Sequence, residues 1–153
     1  MECTFSILNP NGEAAFLNYW KNLETPASWY RLPNPIKHRK SFMFSDCLQL
    51  AMVMPFLLWR FLMAKHIKDF ELTSLQRRLI NLKKSHQKMP SPTQVINALI
   101  SCWVAVAKVA RLCFSLVFTE QLYLDLKDAL RIESAILIKV VTEIFICFFF
   151  YIF

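Results

Sequence analysis

From Val95 to Phe118 the polar residues form a sparse, regular series. Counting from Gln94, they are Asn97, Ser101, Lys108, Arg111 and Ser115, with steps of 3, 4, 7, 3 and 4. On a helix of period 3.6 these positions make one narrow stripe, and the residues off the stripe are apolar. A bundle helix with one thin face to water accounts for the pattern. A lipid-spanning helix does not need it, and Lys108 and Arg111 would each cost about 2.5–3.5 kcal/mol at a bilayer centre. Ser91 is placed to cap this helix and Pro92 suits its first turn, so the spacing predicts a helix over 92–118.

The same reading predicts helices over 46–66, 74–85 and 120–145. The first opens on the capping residues Ser45 and Asp46, runs through "CLQLAMVMPFLLWRFLMA", and has Lys65, His66 and Lys68 at its far end, where cations suit the helix dipole. Pro55 lies mid-helix and predicts a kink near 52–58. Apolar residues cover every face, which predicts burial on most sides. Only 13 uncharged residues separate Asp46 from Arg60, short of the roughly 20 a membrane span needs. In "ELTSLQRRLINLKK", Thr73 and Gln76 read as a capping box. Leu72, Leu75, Leu79 and Leu82 form the apolar stripe of that helix, with Arg77, Arg78, Lys83 and Lys84 mostly elsewhere on the wheel. The last helix starts at Thr119. Leu122, Leu126, Ala129 and Leu130 face one way, and Gln121, Asp125 and Asp128 another. The expected core includes Leu50, Val53, Leu57, Ile96, Leu99, Trp103, Val106 and Leu126.

The first 44 residues differ. Pro10, Pro26, Pro33 and Pro35 interrupt them, and each holds its predecessor out of the helical region. One short helix is expected over about 13–23, capped by Asn11, followed by the extended stretch "ETPASWYRLPNPIKHRK". The fold expected is therefore all-α. A proline- and aromatic-rich, partly extended segment (1–44) precedes an irregular helical bundle (45–141), and an apolar tail (142–153) follows.

Composition removes several functions. Gly12 is the only glycine, which argues against Gly-rich phosphate loops and tight hairpins. The five cysteines, Cys3, Cys47, Cys102, Cys113 and Cys147, form no CxxC and no Cys/His pair at zinc spacing. They read as reduced thiols of an intracellular protein, mostly small buried hydrophobes, with Cys102 and Cys113 spaced to share a helical face. No secretory leader is visible at the N-terminus. No catalytic residues, metal ligands, cofactor or small-molecule substrate are indicated, and the expectation is a non-enzymatic protein. The net charge of +7 is uneven. Residues 31–88 hold twelve Lys or Arg against three acids, a local +9. Within that stretch Lys37, Arg39, Lys40, Arg77, Arg78, Lys83 and Lys84 are the candidate contacts for an anionic partner, nucleic acid among them.

Three stretches carry a resemblance: "SDCLQLAMVMPFLLWRFL", then "VINALISCWVAVAKVARLCFSLVFTE", then "LYLDLKDALRIESAIL". Their order resembles the all-helical region that CACTA-type DNA transposons carry downstream of the transposase core. It covers about residues 45–141. That family's pattern continues into a Pro-containing segment with paired His residues, whereas this chain has neither Pro nor His after Val141. The resemblance implies a helical, mobile-element-derived segment and supplies no catalytic residues.

The chain ends in "FICFFFYIF". From Ser134 on, the apolar residues favour membrane insertion by about 0.3–0.6 kcal/mol each, while Lys139 and Glu143 oppose it, and the two nearly cancel. Ile144, Phe145, Phe148, Phe149, Phe150 and Phe153 are the candidate membrane anchor. A T-rich readthrough beyond a native end near Val141 explains the same residues. Three functions fit the chain. It is a truncated fragment of a mobile-element protein without activity of its own, a small integral membrane protein held by its C-terminal helix, or a basic helical adaptor for nucleic acid through residues 31–88. The expected location is the nucleus or cytoplasm, or a membrane if the tail is an anchor.

Overall fold

A computed structural model of the chain describes residues 2–27, 29–81 and 89–141. It is all-α. In chain order the helices are α1 (Glu2–Ser6), α2 (Pro10–Lys21), α3 (Phe44–Phe61), α4 (Asp69–Asn81), α5 (Pro92–Cys113) and α6 (Glu120–Val141), with single 3-10 turns at Arg39–Ser41 and Ala64–His66. No strand occurs among the described residues. One isolated antiparallel bridge joins Leu8 to Ile67.

α5 is the central element. α3, α4 and α6 all pack against it, and α2 packs on α3. Apolar burial drives this arrangement. Phe5, Ile7, Leu8 and Phe16 from the start of the chain share one core with Leu50, Met54, Leu57, Leu58 and Phe61 of α3, Leu75 of α4, and Val95, Leu99, Trp103 and Val106 of α5. Phe16 packs its ring on Phe5 at 4.9 Å and edge-on to Phe61 at 5.4 Å between centroids, a favoured aromatic geometry. Of the expected core, Leu50, Leu57, Leu99, Trp103 and Val106 are buried, and Val53, Ile96 and Leu126 are half-buried. The polar stripe of α5 (Gln94, Asn97, Ser101, Lys108, Arg111) and Ser115 beyond it are all exposed.

The helix starts show which local signals prevail. Ser91 caps α5 with Pro92 at the first position, as expected, and Gln94 reaches back to the Ser91 amide to complete a capping box. Thr119 accepts from the Leu122 amide at 3.1 Å to open α6. α2 starts earlier than its pattern predicts. Pro10 takes the first helical position and Asn9, not Asn11, is the cap, accepting from the Gly12 amide at 2.9 Å. The Asn9 side-chain amide also donates to the Lys65 carbonyl at 2.8 Å, which locks the α2 start to the 3-10 turn after α3. Gly12 faces that same turn. A Cβ at this position would stand 2.3 Å from the His66 carbonyl oxygen, so the close approach of α2 requires the chain's single glycine.

α3 begins at Phe44, which puts Ser45 and Asp46 inside the first turn. Asp46 caps by reaching back, accepting from the Met43 amide at 2.8 Å, and Tyr30 donates to its other oxygen. The helix continues through Pro55 and stops at Phe61, five residues before the expected end. α4 starts at Asp69, five residues before the expected start, with Asp69 and Glu71 in its first turn favoured by the dipole. The Thr73–Gln76 capping box does not form. Thr73 donates to the Asp69 carbonyl at 2.9 Å, and Gln76 donates to the Pro90 carbonyl at 2.7 Å. α5 ends at Cys113, so 114–118 are a turn and not the last turns of a helix.

Candidate functional site

Lys37 is exposed on a turn ahead of α3, and Lys40 is exposed in the 3-10 turn Arg39–Ser41. Asn34 shapes the Lys37 turn, its side-chain oxygen accepting from the Ile36 and Lys37 amides at 2.9 and 3.1 Å. Arg39 belongs to the 3-10 turn that follows. Arg77 is exposed and Arg78 half-buried on α4. The basic candidates thus occupy two separate elements. Lys83 and Lys84 lie outside the described residues, as do the anchor candidates Ile144, Phe145, Phe148, Phe149, Phe150 and Phe153.

α4 carries a groove of about 430 Å³ lined by Asp69, Phe70, Thr73, Ser74, Arg77 and Arg78. Helical spacing brings these residues together, because positions three, four and seven apart share a face. Phe70 is 81% exposed, the highest value among the exposed large apolar side chains apart from Leu116. An aromatic ring, two hydroxyls and two guanidinium groups therefore share one surface, with the Asp69 carboxylate at its start. Phe70 lies four residues before the expected start of this helix at 74 and is not among the sequence-predicted contacts. The i, i+7 spacing of Phe70 and Arg77 was the available signal.

α3 also differs from its sequence expectation. Its eight buried residues, Asp46 to Phe61, leave one side open. Phe56 and Trp59, three apart and so on one face, are each 72% exposed, and Arg60 next to them is exposed. Apolar residues on all faces did not imply burial on all faces, because α3 has packing partners on one side only.

α5 alone among the described helices is long and apolar enough to cross a membrane. It packs against α3, α4 and α6, with Lys108 and Arg111 exposed. Cys47, Cys102 and Cys113 are free thiols. Cys102 is buried, its thiol pushed up to about 12 by desolvation and by the nearby Glu133 charge. Cys113, eleven residues on and on the same face of α5, is exposed, where burial of its thiol and the Glu133 charge push it up as well. Glu133 is itself buried on α6, where desolvation pushes its carboxyl up to about 7, and one of its oxygens has no hydrogen-bond partner. Among the described residues, no group of His, Cys, Asp and Glu is arranged to hold a metal ion. No family model matches the chain, and neither the curated proteins nor the solved structures give a match.

Proposed function

We propose that the protein is a non-enzymatic helical adaptor that binds single-stranded nucleic acid along α4. The observation that carries this reading is the exposed Phe70 ring in one groove with Arg77. Proteins that bind single strands without sequence preference combine cations that follow the phosphates with aromatic rings on which bases stack. Phe70 supplies the stacking face, Arg77 a phosphate contact, and Ser74 a hydroxyl for the backbone. The net +9 of residues 31–88 raises the local concentration of a polyanion. The resemblance of residues 45–141 to a helical region of DNA transposon proteins suits an adaptor of this kind, derived from a larger mobile-element protein, acting in the nucleus or cytoplasm.

The test is fluorescence anisotropy of a dye-labelled oligothymidine titrated with the whole chain. Binding should weaken steeply with added salt. Phe70→Ala should cost about 1–3 kcal/mol, the value of one stacked base. Arg77→Ala should lower the salt slope by about one. Affinity that is independent of salt and unmoved by Phe70→Ala sinks the proposal. Carbonate extraction of the tagged chain then decides for or against the reading as an integral membrane protein.

A further inference from the structure

A second cavity, of about 210 Å³, lies apart from the α4 groove, between the end of α2, the extended segment that follows it, and α3. Trp20 and Lys21 border it from α2, Trp29 and Arg31 from the extended segment, and Val53 from α3. Three features set its chemistry. The walls include two half-buried indoles. Trp20 is fixed by stacking on the fully buried Phe16, with centroids 5.8 Å apart and planes 23° apart. Trp29 is held by the turn its backbone closes, its amide donating to the Pro26 carbonyl at 2.9 Å. Second, the polar groups are donors. Arg31 donates through Nη2 to the Lys21 carbonyl at 3.0 Å, which covers the negative end of α2 and holds the guanidinium in place while its other N–H groups remain available. Neither indole N–H is engaged by a described residue. Third, no carboxylate lines the cavity: Glu24, between the lining residues Leu23 and Thr25, is exposed and is not part of the lining.

We propose that this cavity binds a small aromatic carboxylate. The flat walls fit a planar ring better than an aliphatic chain, because offset and edge-on aromatic contacts add to simple area burial. The donor set fits a carboxylate, which a guanidinium binds in a fork. The volume limits the size. A cavity of about 150 Å³ holds a benzene ring, so about 210 Å³ admits one ring with its carboxylate or two fused rings.

The experiment is saturation-transfer NMR of the whole chain with benzoate, and with the neutral benzyl alcohol as the comparison. Transfer to benzoate is expected, with weaker binding of the alcohol. Arg31→Ala should weaken benzoate about ten-fold, the loss of a charged hydrogen bond, and leave the alcohol nearly unchanged. Trp29→Phe keeps a ring but removes the indole donor, and should weaken the acid more than the alcohol. Circular dichroism checks that each variant is folded. No transfer to benzoate, equal binding of acid and alcohol, or a benzoate affinity unmoved by Arg31→Ala each overturns the proposal.

Discussion

α3 and α6 are both packed along α5, yet they are buried to very different depths. α3 places Leu50, Ala51, Met54, Leu57, Leu58 and Phe61 in the core, joined there by Phe5, Leu8 and Phe16 from the chain's first residues. α6 has an extensive boundary with α5, but between 120 and 136 only Ala129 and Glu133 are buried. Leu122, Leu126, Leu130 and Ile136 stop at half-burial, and Tyr123, Leu124 and Ile132 are exposed. The length of a helix–helix contact therefore does not measure its contribution. Stabilisation follows the apolar area removed from water, at about 25 cal/mol per Å², and that area is concentrated where α1, α2 and α3 close over α5. On the α6 side, a carboxyl without a full set of partners occupies one of the two buried positions and works against the packing.

The largest expected effect tests the deep side. Trp103 is 1% exposed, and its indole N–H donates to the Thr4 hydroxyl at 3.2 Å, tying the first helix to the fifth. Trp103→Ala should cost about 3–5 kcal/mol and leave the Thr4 hydroxyl buried without that donor. Urea melts followed by circular dichroism measure this. A midpoint unchanged from the parent chain would remove the contrast between the two sides of α5.

Why were some elements legible in the sequence and others not? The stripe from Gln94 to Ser115 and the Ser91–Gln94 cap are local, and a helix obeys local rules at those positions whatever surrounds it. The start of α2 is not local. Asn9 prevails over Asn11 because a carbonyl 56 residues away, at Lys65, is there to receive its amide. The stop of α5 at Cys113 has no Gly or Pro to announce it, since the apolar run simply continues as "FSLVF". Phe56 and Trp59 belong to a helix expected to be buried on most sides, and they are exposed because no neighbour covers them. Burial is a property of pairs of elements, and periodicity reports on only one. The same limit hid the α4 groove: its basic residues were visible, and its aromatic partner lay one turn before the start assigned to that helix.

The second effect tests the shallow side through pH. The Glu133 carboxyl is raised from 4.5 to about 7 by burial. Below about pH 4.5 the carboxyl is neutral in both folded and unfolded chains. As the pH rises from there, the unfolded chain gives up its proton first, so the folded state holds the extra proton and stability falls. The loss is complete once the folded carboxyl ionises near pH 7, and amounts to about 3 kcal/mol at most. Glu133→Gln should remove this slope, leaving the variant relatively more stable at pH 8 than at pH 4.5. Melting temperatures of parent and variant across that range decide it. Parallel profiles would mean that α6 keeps Glu133 in contact with water.

The smallest expected effect on stability falls on the turn between α5 and α6. Leu116 is 103% exposed and Val117 69%, with Phe114 and Phe118 exposed beside them. A side chain that remains in water in the folded state loses no burial when it is shortened, so Leu116→Ser and Val117→Ser should each shift stability by no more than about 0.5 kcal/mol. Solubility should respond more. Four exposed apolar residues within five positions make a surface that a second molecule can cover, and patches of this kind promote association. The double variant should melt with the parent's midpoint and elute with less high-molecular-weight material on size exclusion with light scattering. A large fall in its midpoint would show that the turn packs into the fold, and the division of the molecule into a deep and a shallow side would then end at α5 and not at α6.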